Sequence, residues 1–169
     1  MHDAALFVLN KDKKLKKIIS SVGECDIKII SNPFEALVEA IITQQISDAA
    51  GKSVSLKFKN LFGKKYPAPS DVIKLSKHEI KSIGLSRMKA EYIFDLSQMI
   101  VDKKLDLQIF KKMSNENIIS ELTKVRGIGR WTAEMYLIFA LGRMDVFPLG
   151  DLGLINGIKK LYNLENPST

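Results

Sequence analysis

The sequence is poor in the residues that form disulfide frameworks and metal centres. Among its 169 residues there are one cysteine, Cys25, and two histidines. A single thiol cannot form an intramolecular disulfide, and it cannot supply the several thiolates that an iron–sulfur cluster or a cysteine-based zinc site needs. The sequence therefore predicts no disulfide, no iron–sulfur cluster and no zinc site that needs several thiolates, and we assign no metal ligands among its side chains. We expect Cys25 to be a small buried or half-buried residue.

Long hydrophobic runs are also lacking. The longest two, Ala4–Leu9 and Met135–Leu141, are far shorter than the roughly 18 residues that a membrane-spanning helix needs. Acidic Asp3 stands before the first run, where a secretory signal peptide carries basic residues. We therefore expect a soluble protein that works inside the cell, in the cytoplasm and nucleoid or in a nucleus, without a membrane partner.

What the sequence has in excess is positive charge. It contains 26 Lys+Arg against 19 Asp+Glu, for a formal net charge of +7, and 46% of its residues are hydrophobic. That apolar content is enough to bury a core, and the length predicts one compact unit or two small lobes. Basic surfaces attract phosphate because binding releases counterions, but several of the lysine runs are typical of solvated helix faces. Charge alone therefore only favours an anionic partner.

Helical periodicity runs along nearly the whole chain. Asn32 is an N-cap candidate, Pro33 suits the first helical position and Glu35 the third. The residues that follow repeat at 3.6-residue spacing along one apolar face: Phe34, Leu37, Val38, Ile41 and Ile42. If the helix continues to Gln45, this polar residue falls within about 20° of the same face. The pattern therefore predicts a polar side chain at a core position.

Cap and turn signals predict the other helices. One begins after Ser47 and ends at Gly63, with these residues facing inward: Ala50, Val54, Phe58, Leu61 and Phe62. A short helix capped by Ser70 or Asp71 runs to Leu75, and the rest are predicted at 77–82, at 87–101 after Ser86, at 115–124 after Ser114, at 130–141 and at 152–161. Ala4–Leu9 and residues 27–30 are weak strand candidates. The prediction is an all-α fold, or nearly so.

The turn between the helices at 115–124 and 130–141 is the most informative segment. Gly127 and Gly129 flank Ile128, and Arg126 and Arg130 flank the glycines. Glycines let a backbone approach a ligand closely, and the start of the next helix presents N–H groups without intrahelical partners. Such a turn suits phosphate, although an ordinary glycine-rich connection is the alternative interpretation of the two glycines.

Four segments in this order resemble the helix-hairpin-helix DNA glycosylase superfamily, and within it the 3-methyladenine DNA glycosylase II branch. They are Ile42–Ser47, Gly84–Ala90, Leu122–Ala133 and Asp145–Asp151. The resemblance implies a two-lobed helical bundle with a cleft between the lobes. It divides the chain into an N-terminal segment of the terminal lobe (1–31), a helical domain (32–141) ending in the helix-hairpin-helix (115–141), and a catalytic loop with an incomplete C-terminal helical segment (142–169).

The resemblance also implies an activity, the hydrolysis of the glycosidic bond of alkylated bases such as 3-methyladenine and 7-methylguanine. Asp151 is the implied catalytic carboxylate, although an aspartate before an apolar run is also an ordinary helix cap. Gln45 is expected to fill the gap that a flipped base leaves in double-stranded DNA. Trp131 is expected to line the base pocket with Gln44 and Tyr136, although Tyr136 lies in an apolar run that is typical of a core. The hairpin residues expected to bind phosphate are Arg126, Gly127, Ile128, Gly129, Arg130 and Thr132.

One position of the hairpin distinguishes two kinds of glycosylase. Family members that also cut the strand carry a lysine directly after Gly-x-Gly-Arg, because its amine forms a Schiff base with the sugar. Here that position is Trp131, which implies a monofunctional enzyme without lyase activity. The resemblance implies no cofactor apart from a monovalent cation at the hairpin backbone, and we expect a monomer.

Other functions remain open on the sequence alone. One is a DNA-binding helix-hairpin-helix protein without catalysis, and another is a fragment that needs a C-terminal partner segment. A basic helical scaffold for another protein is a third, but it leaves Gly127, Gly129 and Asp151 unexplained.

Overall fold

The structure, a computed structural model, describes residues 2–63 and 65–164. All regular secondary structure in these residues is helical, which confirms the predicted fold class. The helices are α1 (His2–Leu9), α2 (Lys13–Val22), α3 (Pro33–Thr43), α4 (Asp48–Asn60), α5 (Pro69–Val72), α6 (Lys77–Ser82), α7 (Arg87–Val101), a 3-10 helix (Ile109–Lys112), α8 (Asn115–Leu122), α9 (Arg130–Phe139) and α10 (Leu152–Tyr162).

Both strand candidates are wrong. Ala4–Leu9 lies within α1, because an unbroken apolar run is compatible with either secondary structure and periodicity cannot separate them. Residues 27–30, which the structure describes, have no regular secondary structure, and the Ile30 N–H donates to the carbonyl of Phe139 at 2.8 Å.

The chain forms two compact units. The larger unit is the continuous stretch Ile29–Pro148, and the smaller unit combines Met1–Lys28 with Leu149–Thr169. The larger unit therefore holds α3 to α9, and the smaller unit holds α1, α2 and α10. The predicted hairpin lies in the larger unit, whereas Asp151 lies in the smaller one. A cleft between lobes stays a prediction.

The core of the larger unit is built around α3. This helix packs against α4, α7 and α9, and the apolar face predicted for it is buried, with Leu37, Val38, Ile41 and Ile42 fully inaccessible. Helices α5 and α6 pack against α7, and α8 packs against α9. Helix α9 therefore packs against both α3 and α8.

Helix starts follow the local cap signals. Five side chains accept hydrogen bonds from the first turn of their own helix, at the positions where the sequence predicted caps: Asn32, Ser47, Ser86, Ser114 and Asp151. One cap prediction is wrong. Helix α5 begins at Pro69 after Ala68, and Asp71 lies inside it and accepts a hydrogen bond from the Ala68 N–H, because proline suits the first helical position.

Helix ends are predicted less well. Helix α3 stops at Thr43, so Gln45 is not on its buried face but in the following turn, exposed and with a positive φ of 54°. Helices α8 and α9 each end two residues earlier than predicted. In α4, Ala50 is exposed, as is Leu61 just after the helix, and neither faces the core.

Three remaining expectations concern composition. Cys25 is exposed, which corrects the expectation that it is buried or half-buried. None of the helices in the described residues has the length and apolar content to cross a bilayer. Within those same residues, no group of three or more histidine, cysteine, aspartate or glutamate side chains is placed to hold a metal ion.

Candidate nucleic-acid interface

Two apolar side chains fix the turn between α8 and α9. Val125 and Ile128 are 1% and 3% exposed, so the turn is anchored in the core on both sides of Gly127. The N–H of Val125 donates to the carbonyl of Leu122 at 3.0 Å, and the N–H of Ile128 donates to the carbonyl of Val125 at 3.1 Å. Ile128, which was predicted among the phosphate-binding residues, therefore has a buried side chain, and only its backbone is available to a ligand.

Gly127 is required by its conformation and by its neighbour. Its φ is +86°, and a Cβ at this position would lie 2.1 Å from ring atoms of Tyr92 on α7. No side chain can be accommodated at that distance without moving the ring. The hairpin backbone is thus in direct contact with α7, a contact that the sequence motif did not predict.

The two arginines of the hairpin are already paired with carboxylates. Arg126 forms ion pairs with Glu91 and, at 3.8 Å, with Asp95, and its guanidinium lies 5.6 Å from the Tyr92 ring centroid. Arg130 pairs with Glu116 at 2.6 Å and with Glu134 at 3.0 Å.

These pairs stabilise the charged form of each guanidinium. A hydrogen bond to Glu91 raises the pKa of Arg126, and one to Glu116 raises the pKa of Arg130. A phosphate that contacts either guanidinium has to share this group with the paired carboxylate or displace the carboxylate. The sequence could not predict these acidic partners, because Glu91 and Glu116 are 35 and 14 residues away.

The start of α9 provides backbone N–H groups. Gly129 is its N-cap residue and, lacking a side chain, supplies no capping bond. The first N–H groups of a helix have no intrahelical partner, and the positive end of the helix dipole lies beside them. The side chain of Thr132, in contrast, is buried, and the residue is 3% exposed. A phosphate at this segment would therefore be bound by backbone donors and not by the Thr132 hydroxyl.

Gln44 contacts the hairpin directly. Its side-chain Nε2 donates to the carbonyl of Gly127 at 3.0 Å and to Oγ1 of Thr132 at 2.9 Å. Gln44 was predicted to line the base pocket, but its amide group is engaged with these two residues. It connects the end of α3 to the hairpin, which is 83 residues further along the chain.

Lys89 holds the same turn from the other side. Its Nζ donates to the carbonyls of Ile42, at 2.8 Å, and Gln44, at 2.6 Å. These carbonyls lie at the C-terminal end of α3, where a helix leaves its acceptors without partners. Burial lowers the pKa of Lys89. The sequence singled out Lys89 only as part of a motif, and its spacing from the Ser86 cap gives no indication of these contacts.

Gln45 and Trp131 line one depression of the larger unit, with a volume of about 510 Å³. Its other lining residues are mostly apolar: Ile30, Ala36, Glu39, Ala40, Thr43, Ile46, Met135 and Phe139. A larger depression, of about 630 Å³, lies around Phe34 and Tyr66 and includes none of the predicted site residues. The residues predicted as the gap-filling side chain and the aromatic wall are therefore neighbours.

Tyr136 is separate from this depression. It is 1% exposed, and its ring packs edge-on against Phe110 with centroids 5.9 Å apart. Burial raises its pKa to about 12. Since a ligand cannot reach a side chain enclosed in this way, Tyr136 is a core residue, as the apolar run around it indicated.

Asp151 lies at the start of α10, in the smaller unit. Its Oδ1 accepts a hydrogen bond from the N–H of Leu154 at 2.8 Å, which makes it the N-cap residue. The other carboxylate of the preceding loop, Asp145, belongs to the larger unit and accepts a hydrogen bond from Nδ2 of Asn115 at 3.1 Å. The two aspartates are thus distinguished by their positions, one at a helix start and one in a loop contact.

Comparison with known proteins gives a consistent result. The alkylbase DNA glycosidase-like protein mag2 of Schizosaccharomyces pombe is 31% identical to this chain, over 92% of this chain and 75% of mag2. A DNA-3-methyladenine glycosylase of Saccharomyces cerevisiae is 36% identical, over 90% of this chain and 57% of the relative. The chain spans about half, 48%, of the length of another curated relative, from Bacillus subtilis.

A solved structure gives the same answer for the fold. The 3-methyladenine DNA glycosylase Mag1 of Schizosaccharomyces pombe, in complex with abasic DNA, superimposes with a TM-score of 0.85 at 29% identity, over 94% of this chain and 79% of Mag1. Residues 38–169 match the family described as HhH-GPD superfamily base excision DNA repair protein. This match covers most of the chain, including the hairpin and Asp151, and it confirms the resemblance found in the sequence. The chain belongs to the HhH-GPD superfamily of base excision DNA repair proteins.

Proposed function

We propose that this protein is a DNA glycosylase that hydrolyses the N-glycosidic bond of alkylated bases in double-stranded DNA. The observation that carries the proposal is the depression shared by Gln45 and Trp131, immediately beside the hairpin. Its volume of about 510 Å³ is within the usual range for small-molecule sites. The names of the relatives, an alkylbase DNA glycosidase-like protein and a DNA-3-methyladenine glycosylase, support the same substrate class.

The substrate base has to leave the helix before its glycosidic bond can be reached. Gln45 is exposed in a turn that is fixed to the hairpin through Gln44, so it is suited to occupy the vacated space. Alkylated purines such as 3-methyladenine carry positive charge, and the face of an aromatic ring attracts cations. Trp131 therefore favours the damaged base over its neutral counterpart.

Asp151 supplies the carboxylate of the reaction. As the bond from the base nitrogen to C1′ breaks, its electron pair goes to the base, which leaves neutral if it was cationic. Positive charge develops on the sugar, and a fixed anion stabilises it. Water then bonds to C1′ and loses a proton to the carboxylate or to solvent, as in glycoside hydrolysis. The product is an abasic site in an intact strand.

We further propose that the enzyme has no lyase activity. Strand cleavage through a Schiff base needs an amine at the sugar, and an indole occupies the position after Gly-x-Gly-Arg. A monovalent cation at the hairpin carbonyls stays a prediction; one of these carbonyls, that of Gly127, accepts the Gln44 amide. The proposed enzyme acts as a monomer inside the cell, on damaged duplex DNA.

The test is release of free base from methylated duplex DNA by the protein and by two matched variants. Asp151→Asn keeps a side chain that caps helices as well as aspartate does, so the fold should be retained. We expect base release to fall by about 100-fold or more, the loss typical for removal of one charge-stabilising group. Asp145→Asn, from the same loop, should release bases at the wild-type rate.

Strand cleavage is the second readout of this experiment. Strands should remain intact until alkali is added, whereas cleavage without alkali would contradict the absence of lyase activity. Full base release by Asp151→Asn, or equal loss in both variants, would contradict the role of Asp151.

A non-catalytic DNA-binding protein is the second candidate function. The observation that favours it is that the unit carrying Asp151 has no buried residue among those whose burial the structure describes. If this candidate is correct, the wild-type chain binds duplex DNA with strong salt dependence and releases no base. Loss of that binding in a Gly127 variant would still assign the interaction to the hairpin.

A further inference from the structure

Lys89 and Gln44 join three elements of the larger unit into a closed set of contacts. The first contact is between α7 and the end of α3, where Nζ of Lys89 donates to the carbonyls of Ile42 and Gln44 at 2.8 and 2.6 Å. An ammonium group at the C-terminus of a helix satisfies free carbonyls and complements the helix dipole. Lys89 thereby fixes the backbone on which Gln44 stands.

The second contact is between the end of α3 and the hairpin. The Gln44 amide donates one hydrogen bond to the Gly127 carbonyl and one to Oγ1 of Thr132, at 3.0 and 2.9 Å. Because Thr132 is 3% exposed, its hydroxyl needs a partner within the protein, and Gln44 provides it. The amide thus bridges the turn and the first residues of α9.

The third contact returns from the hairpin to α7. Gly127 lies so close to the Tyr92 ring that a Cβ would be 2.1 Å from it, and Arg126 pairs with Glu91. Tyr92 follows Lys89 by three residues, so both lie on one face of α7. This helix therefore positions the hairpin and the end of α3 at the same time.

Gln45 is the residue that these contacts constrain. It has a positive φ of 54°, a conformation that is unfavourable for a residue with a side chain. Such a backbone persists where its surroundings determine it, and it is found at functional sites. Here the preceding residue, Gln44, is held at its carbonyl by Lys89 and at its amide by the hairpin.

We propose that Lys89 and Gln44 are positioning residues for base flipping, which hold Gln45 at a fixed place relative to the phosphate-binding hairpin. When the hairpin binds the backbone of DNA, the side chain of Gln45 is then already directed to the stack. This inference rests on the proposed function and deepens it. It assigns no contact with the reacting atoms to either residue.

The role predicts a difference between duplex and single-stranded substrates. A gap-filling side chain is needed only where a base leaves a stacked duplex, since a single strand requires no such replacement. Loss of the contacts should therefore lower base release from duplex DNA and leave release from the same methylated strand in single-stranded form unchanged. A general loss of folded protein would lower both.

The variants are Lys89→Met, Gln44→Met and Thr132→Val, each of similar size to the residue replaced. Lys104→Met and Gln98→Met are the matched controls, because both side chains are exposed and each donates a hydrogen bond to Asp102. Single-turnover base release from duplex DNA should fall about 10- to 100-fold in the first three variants, the size of effect that misplaced groups produce. The controls should match the wild type.

A fluorescent readout is independent of catalysis. Duplex DNA that contains 2-aminopurine beside an abasic-site analogue reports unstacking when protein binds. We expect the increase in fluorescence to be lost in Gln44→Met and in Lys89→Met. Lys89→Arg keeps the hydrogen-bond donors, so it should retain part of the increase. The double variant Gln44→Met/Thr132→Val should be no worse than Gln44→Met alone, because both changes break the same contact.

The outcomes separate this inference from the proposed function. If no form of the protein releases base but the variants lose the fluorescence response, the positioning role stands and the proposed function fails. If duplex and single-stranded rates fall equally, or if fluorescence is unchanged in all three variants, Lys89 and Gln44 do not position Gln45 for flipping.

Discussion

The two units of this chain are stabilised in different ways. All side chains that are buried, among those whose burial the structure describes, belong to the larger unit, Ile29–Pro148. The smaller unit has none among them, although it carries apolar residues, and several of these are strongly exposed: Phe7, Val8, Val22, Leu149 and Leu152. Its contacts include polar ones, such as the hydrogen bond from the Tyr162 hydroxyl to Asp12 at 2.8 Å.

This difference bears on the two halves of the proposed activity. Val125 and Ile128 anchor the hairpin in the core. The Gln45 turn is held by hydrogen bonds of Lys89 and Gln44. The Asp151 side chain caps the start of α10, where its carboxylate accepts a hydrogen bond from the Leu154 N–H. The hairpin proposed to bind DNA therefore has the support of a buried core, whereas the proposed catalytic Asp151 lies in the unit that has no buried residue among those whose burial the structure describes. We expect substitutions of the same type to have different effects in the two units.

Removal of core volume should show the largest difference. Leu137 in α9 is fully buried, and Leu137→Ala should lower the free energy of unfolding by about 3–5 kcal/mol, because the cavity adds to the lost transfer energy. Ile158 in α10 is half-buried, and Ile158→Ala should cost about 1 kcal/mol. Urea denaturation of both variants measures these values. Equal costs would show that the smaller unit has a core after all.

Replacing one glycine in each unit by alanine compares the backbone conformations that the two units require. Gly127→Ala should destabilise by about 2–5 kcal/mol, since it combines a left-handed backbone with overlap on the Tyr92 ring. A Cβ at Gly157, inside α10, would meet no atom within 4 Å, so Gly157→Ala should stabilise by about 0.5–1 kcal/mol. Thermal unfolding monitored by circular dichroism distinguishes the two signs. A neutral Gly127→Ala would mean that the hairpin can move away from α7.

The local features of the fold could be predicted from the sequence, and the reason is physical. A cap such as Asn32 or Ser86 acts on its own first turn, and a motif such as 126–130 contains its own turn geometry. The family resemblance followed from such motifs, and the family match over residues 38–169 confirms it. Features that depend on residues close in sequence, such as helix starts and tight turns, were mostly predicted correctly.

Other features depend on contacts between distant residues, and the sequence could not predict them. Arg126 pairs with Glu91 on α7, and Arg130 pairs with Glu116 on α8 in addition to Glu134 on its own helix. Gln44 bonds to Thr132, which is 88 positions away. Helix α3 ends at Thr43 without a glycine or proline signal, and its final carbonyls are bound by Lys89 from α7. The prediction that Gln45 occupies a core position failed because this interaction has no local signal.

Helix caps should behave alike in both units, because they act locally. Ser86→Ala removes the cap of α7 in the larger unit, and Asp151→Ala removes the cap of α10 in the smaller one. Each should cost about 1 kcal/mol in the free energy of unfolding, measured with urea. A much smaller cost for Asp151→Ala would indicate that α10 frays independently of the larger unit.

The smallest effects concern two carboxyl groups whose pKa values move in opposite directions. In the larger unit, burial raises the pKa of Glu39 above its usual 4.5. In the smaller unit, the hydrogen bond from the Leu15 N–H, followed by that from Tyr162, lowers the pKa of Asp12 below its usual 3.8. A raised pKa contributes stability that is present below pH 4.5 and is lost as the pH rises through the folded value. A lowered pKa contributes stability that is present above pH 3.8 and is lost as the pH falls through the folded value.

Amide substitutions separate these contributions. Glu39→Gln removes the charge that burial disfavours, so it should stabilise the protein at neutral pH by about 0.5 kcal/mol, at the lower end of stabilising substitutions. Asp12→Asn keeps a capping side chain, and it should flatten the decline of stability below about pH 4 while Glu39→Gln leaves that decline in place. Thermal unfolding from about pH 3 to about pH 8 measures both. If Glu39→Gln lowers stability at neutral pH, the carboxylate is stabilised by its bond from Ser55 more than it is penalised by burial, and the larger unit tolerates charge in its interior.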